Sequence, residues 1–379
     1  METQKKSVLI TGVSHLWGRK LASLLEDDPS LDPIIGIDFI QPETPFKRLK
    51  FFQVDLDNPL ISELLKTANV DTVCHLLFLE SYGYEEEFFG LNVMGTMDLL
   101  ASCAAAGNVS RIIFLSDTKV YGAHSGNPNF LTEDSELKGR YSHRYIQDRL
   151  EVERYLTKFT KRNKTPQITT LRFANILGPN VETPMSRFLD SAVVPKVWGF
   201  DPMMQFTHVK DALDSIAHAI KSDAVGPFNI AGDNPIPFTQ VLRIGAKVAL
   251  PIASPILKMS YNFYRKLGIV DSVMIEADFL KYNCVGDTSR MKNVLKFFPK
   301  YSCREVIKDF FENSRLNKYY APKGKVRSDP QAAESLVKWI REKQQATEQT
   351  SYLIDQYADL VKNLDEEVIH ENKQQKSGE

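Results

Sequence analysis

Tyr145 and Arg149 stand four residues apart in an amphipathic stretch, so a helix there places both side chains on one face. A phenol can exchange a proton with a bound molecule if nearby positive charge lowers its pKa from the ordinary value of about 10. Arg149 supplies that charge and can donate hydrogen bonds, but unlike a lysine it cannot lose a proton. The pair predicts acid–base chemistry at Tyr145, and a core-facing tyrosine beside a solvated arginine is the alternative.

A second group of residues, near the N-terminus, is typical of a turn that cradles phosphates. Gly12 allows a tight turn after an apolar strand, and Gly18 lets the following helix pack closely on the sheet. The start of that helix offers free N–H groups to a pyrophosphate. His15 replaces the usual middle glycine, where it either contacts a phosphate or faces solvent. An ordinary strand–turn–helix is the alternative. The residues expected to contact the dinucleotide here are Gly12, Ser14, His15, Leu16, Trp17 and Gly18.

Acidic residues end the next two predicted strands. Asp38 can accept hydrogen bonds from both ribose hydroxyls and repels a 2′-phosphate, so it favours NAD over NADP. A strand-end aspartate that begins a turn is the alternative. Asp55 and Leu56 are expected near the adenine, although helix capping by Asp57 explains part of that pattern.

The sequence around these groups alternates short apolar runs with helical stretches. The predicted strands are 7–11, 33–38, 49–54, 71–78, 111–116 and 168–174. The predicted helices are 18–27, 59–67, 86–107 and 140–162. Such alternation predicts an α/β fold with a doubly wound parallel sheet, helices on both faces and ligands beyond the carboxyl ends of the strands.

Composition narrows the class of protein. With 25% charged residues and a formal net charge of −1, the chain lacks the basic field of a nucleic-acid binder. The cysteines have no metal-ligand spacing, so we predict no metal site and buried free thiols in a reducing compartment; they are Cys74, Cys103, Cys284 and Cys303. A strand begins within about eight residues of the N-terminus and no apolar run reaches membrane-spanning length, so we expect a cytoplasmic protein.

Six segments in order along residues 7–315 resemble the extended short-chain dehydrogenase/reductase superfamily, of the NAD-dependent epimerase/dehydratase type. They are Cys74–Leu77, Asn92–Thr96, Phe114–Gly122, Leu171–Pro179, Phe206–Asp211 and Phe228–Gly232. The resemblance implies a Rossmann-type NAD-binding core over 1–175 and a substrate lobe over 176–318 that is interleaved with the last core elements. A charged helical tail, partly disordered, is expected over 319–379.

The resemblance also implies an enzyme that transfers a hydride between NAD and a secondary alcohol or ketone, with Tyr145 as acid or base. The family's lysine is replaced by Arg149, and its hydrogen-bonding serine or threonine falls on Asp117. Thr118 or Ser116 could substitute for it. These changes leave open a catalytically impaired NAD-binding scaffold or sensor. Further cofactor-binding residues implied by the family are Leu76, Leu77, Asn92, Ser116, Tyr145 and Arg149.

Substrate clues lie in the predicted lobe, where the resemblance implies contacts from Asn175, Met204 and His208. Many relatives place an arginine at the position of Met204 to bind the diphosphate of a nucleotide sugar, and a methionine cannot pair with a phosphate. The stretch 246–264 is unusually apolar, which predicts a buried lobe helix, an apolar lid or a surface that touches a membrane. We therefore expect a hydrophobic, lipid- or steroid-like substrate, with a nucleotide sugar as the alternative. Relatives often form homodimers.

Overall fold

The structure is a computed structural model that describes residues 5–78, 89–139, 144–191, 193–253 and 277–320. Two compact units divide the chain, Met1–Asn317 and Lys318–Glu379. The features described below belong to the first unit, except that the last three residues of the final helix belong to the second. The tail predicted over 319–379 lies outside the described residues from residue 321 onward.

A seven-stranded parallel sheet forms the centre of the first unit, in the order β11–β6–β5–β4–β1–β2–β3. Its strands are β1 (Lys6–Thr11), β2 (Leu31–Asp38), β3 (Lys50–Gln53), β4 (Thr72–His75), β5 (Arg111–Asp117), β6 (Gln167–Phe173) and β11 (Gly226–Ile230). The strand order reverses between β1 and β4, which is the point where such sheets bind ligands. The predicted α/β, Rossmann-type fold is confirmed.

Helices cover both faces of the sheet, as the apolar runs require. They are α1 (Leu16–Glu26), α2 (Leu60–Thr67), α3 (Gly95–Ala106, preceded by a π-helical turn Gly90–Met94), α4 (Arg144–Arg162), α5 (Pro184–Asp190), α6 (Val209–Lys221), α7 (Phe238–Ile244), α8 (Ser289–Asn293) and α9 (Cys303–Tyr320). The apolar faces of α1 and α6 pack on one side of the sheet. Those of α2, α3 and α4 pack on the other. The strand side chains Val8, Leu9 and Ile10 are fully buried between these layers.

A second apolar core lies beyond the carboxyl end of the sheet, around Phe188, Phe206, Phe238 and Phe310. Three two-stranded sheets frame it: β7 with β10, β9 with β12, and β8 with β13. These strands are Asn175–Leu177 (β7), Val193–Val197 (β8), Met203–Met204 (β9), Phe206–His208 (β10), Ile236–Pro237 (β12) and Val248–Ile252 (β13). Because β11 returns to the central sheet, this lobe is interleaved with the core in sequence.

The structure corrects the buried helix that is predicted within 246–264. Val248–Ile252 is a strand that pairs in parallel with Val193–Val197, and Val248 is 63% exposed. Valine and isoleucine favour strands, and two prolines, Pro251 and Pro255, oppose a helix through this run. The remaining part of the predicted lid or membrane-contacting surface, from residue 254, lies outside the described residues.

Candidate active site

The turn between β1 and α1 is built around two glycines. Gly12 has a φ of +74°, and a Cβ there would lie 2.9 Å from Leu77 Cα. A Cβ on Gly18 would lie 2.1 Å from the carbonyl oxygen of Gly12, so only glycine lets α1 start this close to β1. His15 precedes the helix but makes no side-chain capping hydrogen bond. The helix start is therefore suited to receive a phosphate.

A chain of hydrogen bonds fixes the end of β4 against this turn. Thr11 Oγ1 lies 2.7 Å from His75 Nδ1, and His75 Nε2 lies 2.9 Å from Thr96 Oγ1. The backbone N–H groups of Leu76 and Leu77 donate to Thr11 Oγ1, both at 3.2 Å. These bonds replace ladder pairing, which explains why the predicted strand 71–78 ends at His75. Burial, with a smaller effect of the Arg149 charge, lowers the pKa of His75 to about 3, so its ring is neutral.

Asp38 lies at the end of β2, beside the same turn, and is almost fully buried. Its carboxylate accepts the backbone N–H of Ser14 at 2.9 Å and that of Ile40 at 3.3 Å. His15 Nε2 stands 3.7 Å from Asp38 Oδ1, beyond hydrogen-bond distance. The carboxylate is thus held by backbone donors at the position predicted to meet a ribose.

A cavity of about 280 Å³ opens at the carboxyl ends of these strands, and we call it the strand-end cavity. Its lining includes the predicted residues His15, Leu16, Trp17, Leu76, Ser116, Asp117, Arg149 and Asn175, together with Phe78 and Lys119. Three polar atoms in this lining are buried without a hydrogen-bond partner: His15 Nε2, Arg149 Nε and Asn175 Oδ1. A larger cavity of about 400 Å³ lies elsewhere, and none of the predicted site residues lines it. Unsatisfied buried groups call for a ligand, so the strand-end cavity is the candidate active site.

Tyr145, on α4, reaches the end of β5. Its hydroxyl donates to Asp117 Oδ2 across 2.5 Å. Lys119 Nζ binds the same oxygen at 2.7 Å, and the backbone N–H of Lys119 donates to Asp117 Oδ1 at 2.7 Å. Burial alone would raise the pKa of Asp117, but the Lys119 charge and the hydrogen bonds from Lys119 and Tyr145 hold it below its ordinary value. Asp117 is therefore an ionised acceptor.

Arg149 lies one turn after Tyr145, as its spacing predicts, and is largely buried. Its guanidinium donates from Nη1 to the carbonyl oxygen of Leu115 and stacks on Phe78, with 3.9 Å between Cζ and the ring centroid. The same Cζ lies 5.5 Å from the centroid of the Tyr145 ring. Phe78 also meets Tyr145 edge-on, with 6.3 Å between ring centroids. Positive charge therefore approaches the phenol from two sides, Arg149 and Lys119.

A buried ion pair anchors α4 to the sheet behind this site. Glu153 binds Arg172 through both carboxylate oxygens, with a closest distance of 2.5 Å between Glu153 Oε2 and Arg172 Nη2. Ser116 Oγ donates to Glu153 Oε1 at 2.5 Å. The hydroxyl of Ser116 is therefore committed to this anchor, which opposes its predicted use as a substitute donor to the substrate.

The predicted substrate residues occupy different positions. Asn175 lines the strand-end cavity. Met204 is buried in the lobe core and lines a neighbouring space of about 20 Å³, which we call the methionine chamber. The chamber is lined by Lys119, Asn175, Met185, Met203, Met204, Gln205, Phe279, Tyr282 and Cys284. His208 lies 3.2 Å from Asp309, stacks on Tyr301 and accepts the N–H of Lys210, which gives it a structural role at the start of α6.

Several predicted cofactor-binding and catalytic residues are absent from the described lining of the strand-end cavity. They are Gly12, Ser14, Gly18, Asp38, Asp55, Leu56, Leu77, Asn92, Thr118 and Tyr145. Asp55 is exposed, and Leu56 packs beneath Gly95. Asn92 is buried and donates to Asp148 Oδ2 on α4 at 3.2 Å. Thr118 is buried, and its carbonyl oxygen accepts from Cys284. Ligand contacts from Asp55, Leu56, Asn92 and Thr118 stay predictions.

Sequence reasoning missed Phe78 and Lys119. Phe78 follows Leu76 and Leu77 without a polar signal, so nothing in the sequence marks it. Lys119 stands two residues after Asp117, and a cation that close to a buried carboxylate is a usable signal for an ion pair. Within the described ranges, no group of three or more side chains could hold a metal ion. None of the helices described there has the length and apolarity to cross a bilayer.

Comparison with known proteins identifies the family of the chain. The model of the NAD dependent epimerase/dehydratase family matches residues 8–231. An uncharacterized protein of Mycobacterium tuberculosis (strain ATCC 25618 / H37Rv) is 30% identical over 324 residues, which cover 84% of this chain and 86% of the relative. The chain belongs to the NAD-dependent epimerase/dehydratase family. The predicted resemblance is thus confirmed.

Other known proteins are similar over parts of their length or in fold. An Arabidopsis thaliana trifunctional UDP-glucose 4,6-dehydratase/epimerase/reductase is 29% identical over 46% of this chain and 28% of its own length. The structure of MoeE5 with UDP-glucuronic acid and NAD superposes with a TM-score of 0.63, at 21% identity, over 82% of this chain and 99% of MoeE5. A UDP-glucuronic acid 4-epimerase from Bacillus cereus, in complex with NAD, gives 0.61 at 20% identity over 82% and 99%. At these identities the structures show a common fold.

Proposed function

We propose that this protein is an NAD-dependent enzyme that oxidises or reduces a secondary alcohol or ketone on a hydrophobic, lipid- or steroid-like molecule. The observation that carries the proposal is the lining of the methionine chamber beside Asn175, which at about 20 Å³ has room for one small group of a substrate. The thioethers of Met185, Met203 and Met204 and the ring of Phe279 favour an apolar group, because they cannot pair with a phosphate. Lys119, a cation in the same lining, is already paired with Asp117.

NAD fits the residues of the strand-end cavity. The start of α1 would hold the pyrophosphate, and Asp38 would hold the adenosine ribose. The partnerless polar atoms of His15, Arg149 and Asn175 support a ligand with many hydrogen-bonding groups. When bound, the cofactor accepts a hydride from an alcohol or, in its reduced form, donates one to a ketone.

The chain's own residues orient the substrate and move the proton. Tyr145 contacts Asp117 and Arg149, which line the cavity, although Tyr145 is not itself part of the lining. A phenol there can exchange a proton with Asp117. Arg149 would hold the cofactor ribose and keep positive charge beside the phenol. Asn175 contributes its buried amide oxygen to the cavity wall. Arg149 and Asn175 together thus position the reacting groups around Tyr145.

A nucleotide sugar is the second candidate substrate. It is favoured by relatives such as MoeE5, whose structure holds UDP-glucuronic acid. Thermal-shift measurements in the presence of NAD distinguish the two classes. We expect stabilisation by hydroxy- and ketosteroids or long-chain hydroxy acids, and little by UDP-glucose or UDP-glucuronic acid. Micromolar binding of a UDP-sugar would overturn the hydrophobic assignment.

Substitution of Tyr145 separates an enzyme from a cofactor-binding scaffold. Tyr145→Phe is expected to abolish turnover of a substrate found in that screen, while the affinity for NADH measured by titration calorimetry stays nearly unchanged. Tyr155→Phe, on the same helix but packed against Phe159, is the matched control and should retain activity. If Tyr145→Phe turns over substrate as the natural protein does, Tyr145 is not the acid–base group.

A further inference from the structure

Asp117 Oδ2 is the point where Tyr145 and Lys119 meet. The phenol and the ammonium group both donate to this one oxygen, at 2.5 Å and 2.7 Å. The other oxygen, Oδ1, accepts the backbone N–H of Lys119 at 2.7 Å. The backbone N–H of Lys119 therefore fixes the orientation of the carboxylate, whose other oxygen, Oδ2, faces Tyr145.

An ionised carboxylate can only accept hydrogen bonds, so the proton between Tyr145 and Asp117 belongs to the phenol. A phenol that donates its own proton can accept another from a substrate hydroxyl in the same step. Such a tyrosine then does not need a pKa lowered to near neutral pH in order to act. Asp117 takes the proton instead.

We propose that Asp117, acting through Tyr145, is the base for alcohol oxidation, and that Lys119 is the positioning residue that keeps Asp117 ionised and oriented. This inference rests on the proposed function. The substrate hydroxyl proton passes to Tyr145 Oη as the proton of Tyr145 passes to Asp117 Oδ2. The carbinol C–H bond breaks and a carbonyl forms, and bound NAD would accept the hydride. Reduction of a ketone runs the same transfers backwards.

Arg149 does not supply this function, because it binds elsewhere. Its guanidinium contacts the Leu115 carbonyl and the Phe78 ring. Within the described parts of the chain, the titratable groups that face Asp117 are Tyr145 from α4, Lys119 from its own turn and Cys284 from the lobe. Burial raises the pKa of Cys284 to about 12, with a further increase from Asp117, so the thiol is neutral. Lys119 is thus the charge in direct contact with the carboxylate.

The test is a spectrophotometric titration of tyrosine ionisation in the full chain without added cofactor or substrate. Subtracting the curve of Tyr145→Phe isolates Tyr145. Lys119→Met removes a positive charge and is expected to move the Tyr145 titration to higher pH. Asp117→Asn removes a negative charge and is expected to move it to lower pH. Lys119→Arg keeps the charge and should leave the curve close to that of the natural protein.

Lys281 provides the matched control. Its ammonium pairs with Asp278 at 2.9 Å, with both side chains mostly buried, as in the Lys119–Asp117 pair. Lys281→Met should leave the Tyr145 titration unchanged. The proposal is overturned if Lys119→Met gives the curve of the natural protein, or if Lys281→Met produces the same shift.

A second readout uses turnover, once a substrate is found. In Lys119→Met, Asp117 protonates at higher pH, so the acid limb of kcat/KM for alcohol oxidation should move to higher pH, and Lys119→Arg should restore it. If the acid limb of kcat/KM lies at the same pH in Lys119→Met as in the natural protein, the proposed role of Lys119 is overturned, even if the enzyme is active. Because the titration needs no substrate, it stands if the proposed function fails, and the two failures are distinguishable.

Discussion

The guanidinium of Arg149 stacks on the ring of Phe78, with 3.9 Å between Arg149 Cζ and the ring centroid. Such stacking uses the flat, delocalised cation of arginine, and a lysine ammonium cannot reproduce it. The stack and the bond to the Leu115 carbonyl hold the guanidinium against the strand-end cavity, where Nε has no hydrogen-bond partner. Arg149, which stands where the family has a lysine, therefore packs against a specific side chain, Phe78.

Arg149→Met is expected to weaken NADH binding by about 1.5–3 kcal/mol, the scale of a hydrogen bond to a charged group. Arg149→Lys should fall between this variant and the natural protein, because it keeps charge without stacking. Titration calorimetry measures both. Arg154→Met, which removes an arginine paired with Glu151 on the same helix, is the control and should bind NADH normally. If Arg149→Met binds NADH as tightly as the natural protein does, Arg149 does not contact the cofactor.

Asp38 should set the preference for NAD over NADP. Asp38→Asn keeps a hydrogen-bonding side chain but removes the negative charge that repels a 2′-phosphate. We expect the preference to shrink by roughly 1–3 kcal/mol. Calorimetric titrations with NADH and NADPH measure the ratio, with Asp57→Asn, at an exposed position, as the control. An unchanged ratio in Asp38→Asn would contradict the assignment.

Gly18 should tolerate no side chain. A Cβ there meets the Gly12 carbonyl at 2.1 Å, so Gly18→Ala must displace α1 from β1. Overpacking of this kind costs about 1–3 kcal/mol in the free energy of unfolding. Urea denaturation measures that loss, and NADH binding should weaken with it. Gly90→Ala is the matched control, since nothing lies within 4 Å of a Cβ at that position. Equal stability of the two variants would show that the contact at Gly18 relaxes freely.

His75 should make stability depend on pH. Its folded pKa is about 3, whereas an unfolded histidine has a pKa of about 6.5. Below pH 6.5 the unfolded chain binds a proton that the folded protein does not, so stability is lost as the pH falls from about 6.5 towards 3. His75→Gln should show a flatter dependence over that interval in urea denaturation at several pH values. His124→Gln, which leaves this buried ring intact, should keep the natural slope, and identical slopes for all three proteins would refute the role of His75.

The strands and the first turn follow directly from the sequence. Val8, Leu9 and Ile10 are apolar in succession because both faces of β1 are buried, and Gly12 and Gly18 are required by backbone contacts. The juxtaposition of Tyr145 with Asp117 was implied by family resemblance. The double hydrogen bond at Asp117 Oδ2 was not predictable, since it depends on how α4 is seated on β5.

Other parts of the site depend on contacts between distant segments. Phe78 becomes important only because Arg149 arrives above it from a segment about 70 residues later. His208 was expected at the substrate, but Asp309 and Tyr301 from the last described helix and the turn before it occupy its ring. A motif gives the residue type at such positions, and the packing of remote segments decides what that residue touches.

The Glu153–Arg172 pair has a consequence for how this site can change over evolution. Glu153 lies eight residues after Tyr145 on α4, about 12 Å along the helix axis. The ion pair that anchors the helix and the groups at its N-terminal end that are proposed to act on the substrate are thus different side chains. Residue 149 takes no part in the Glu153–Arg172 pair, so an exchange of arginine for lysine there leaves that anchor in place. A protein with this division can acquire a new reaction, or lose one, while its fold remains intact.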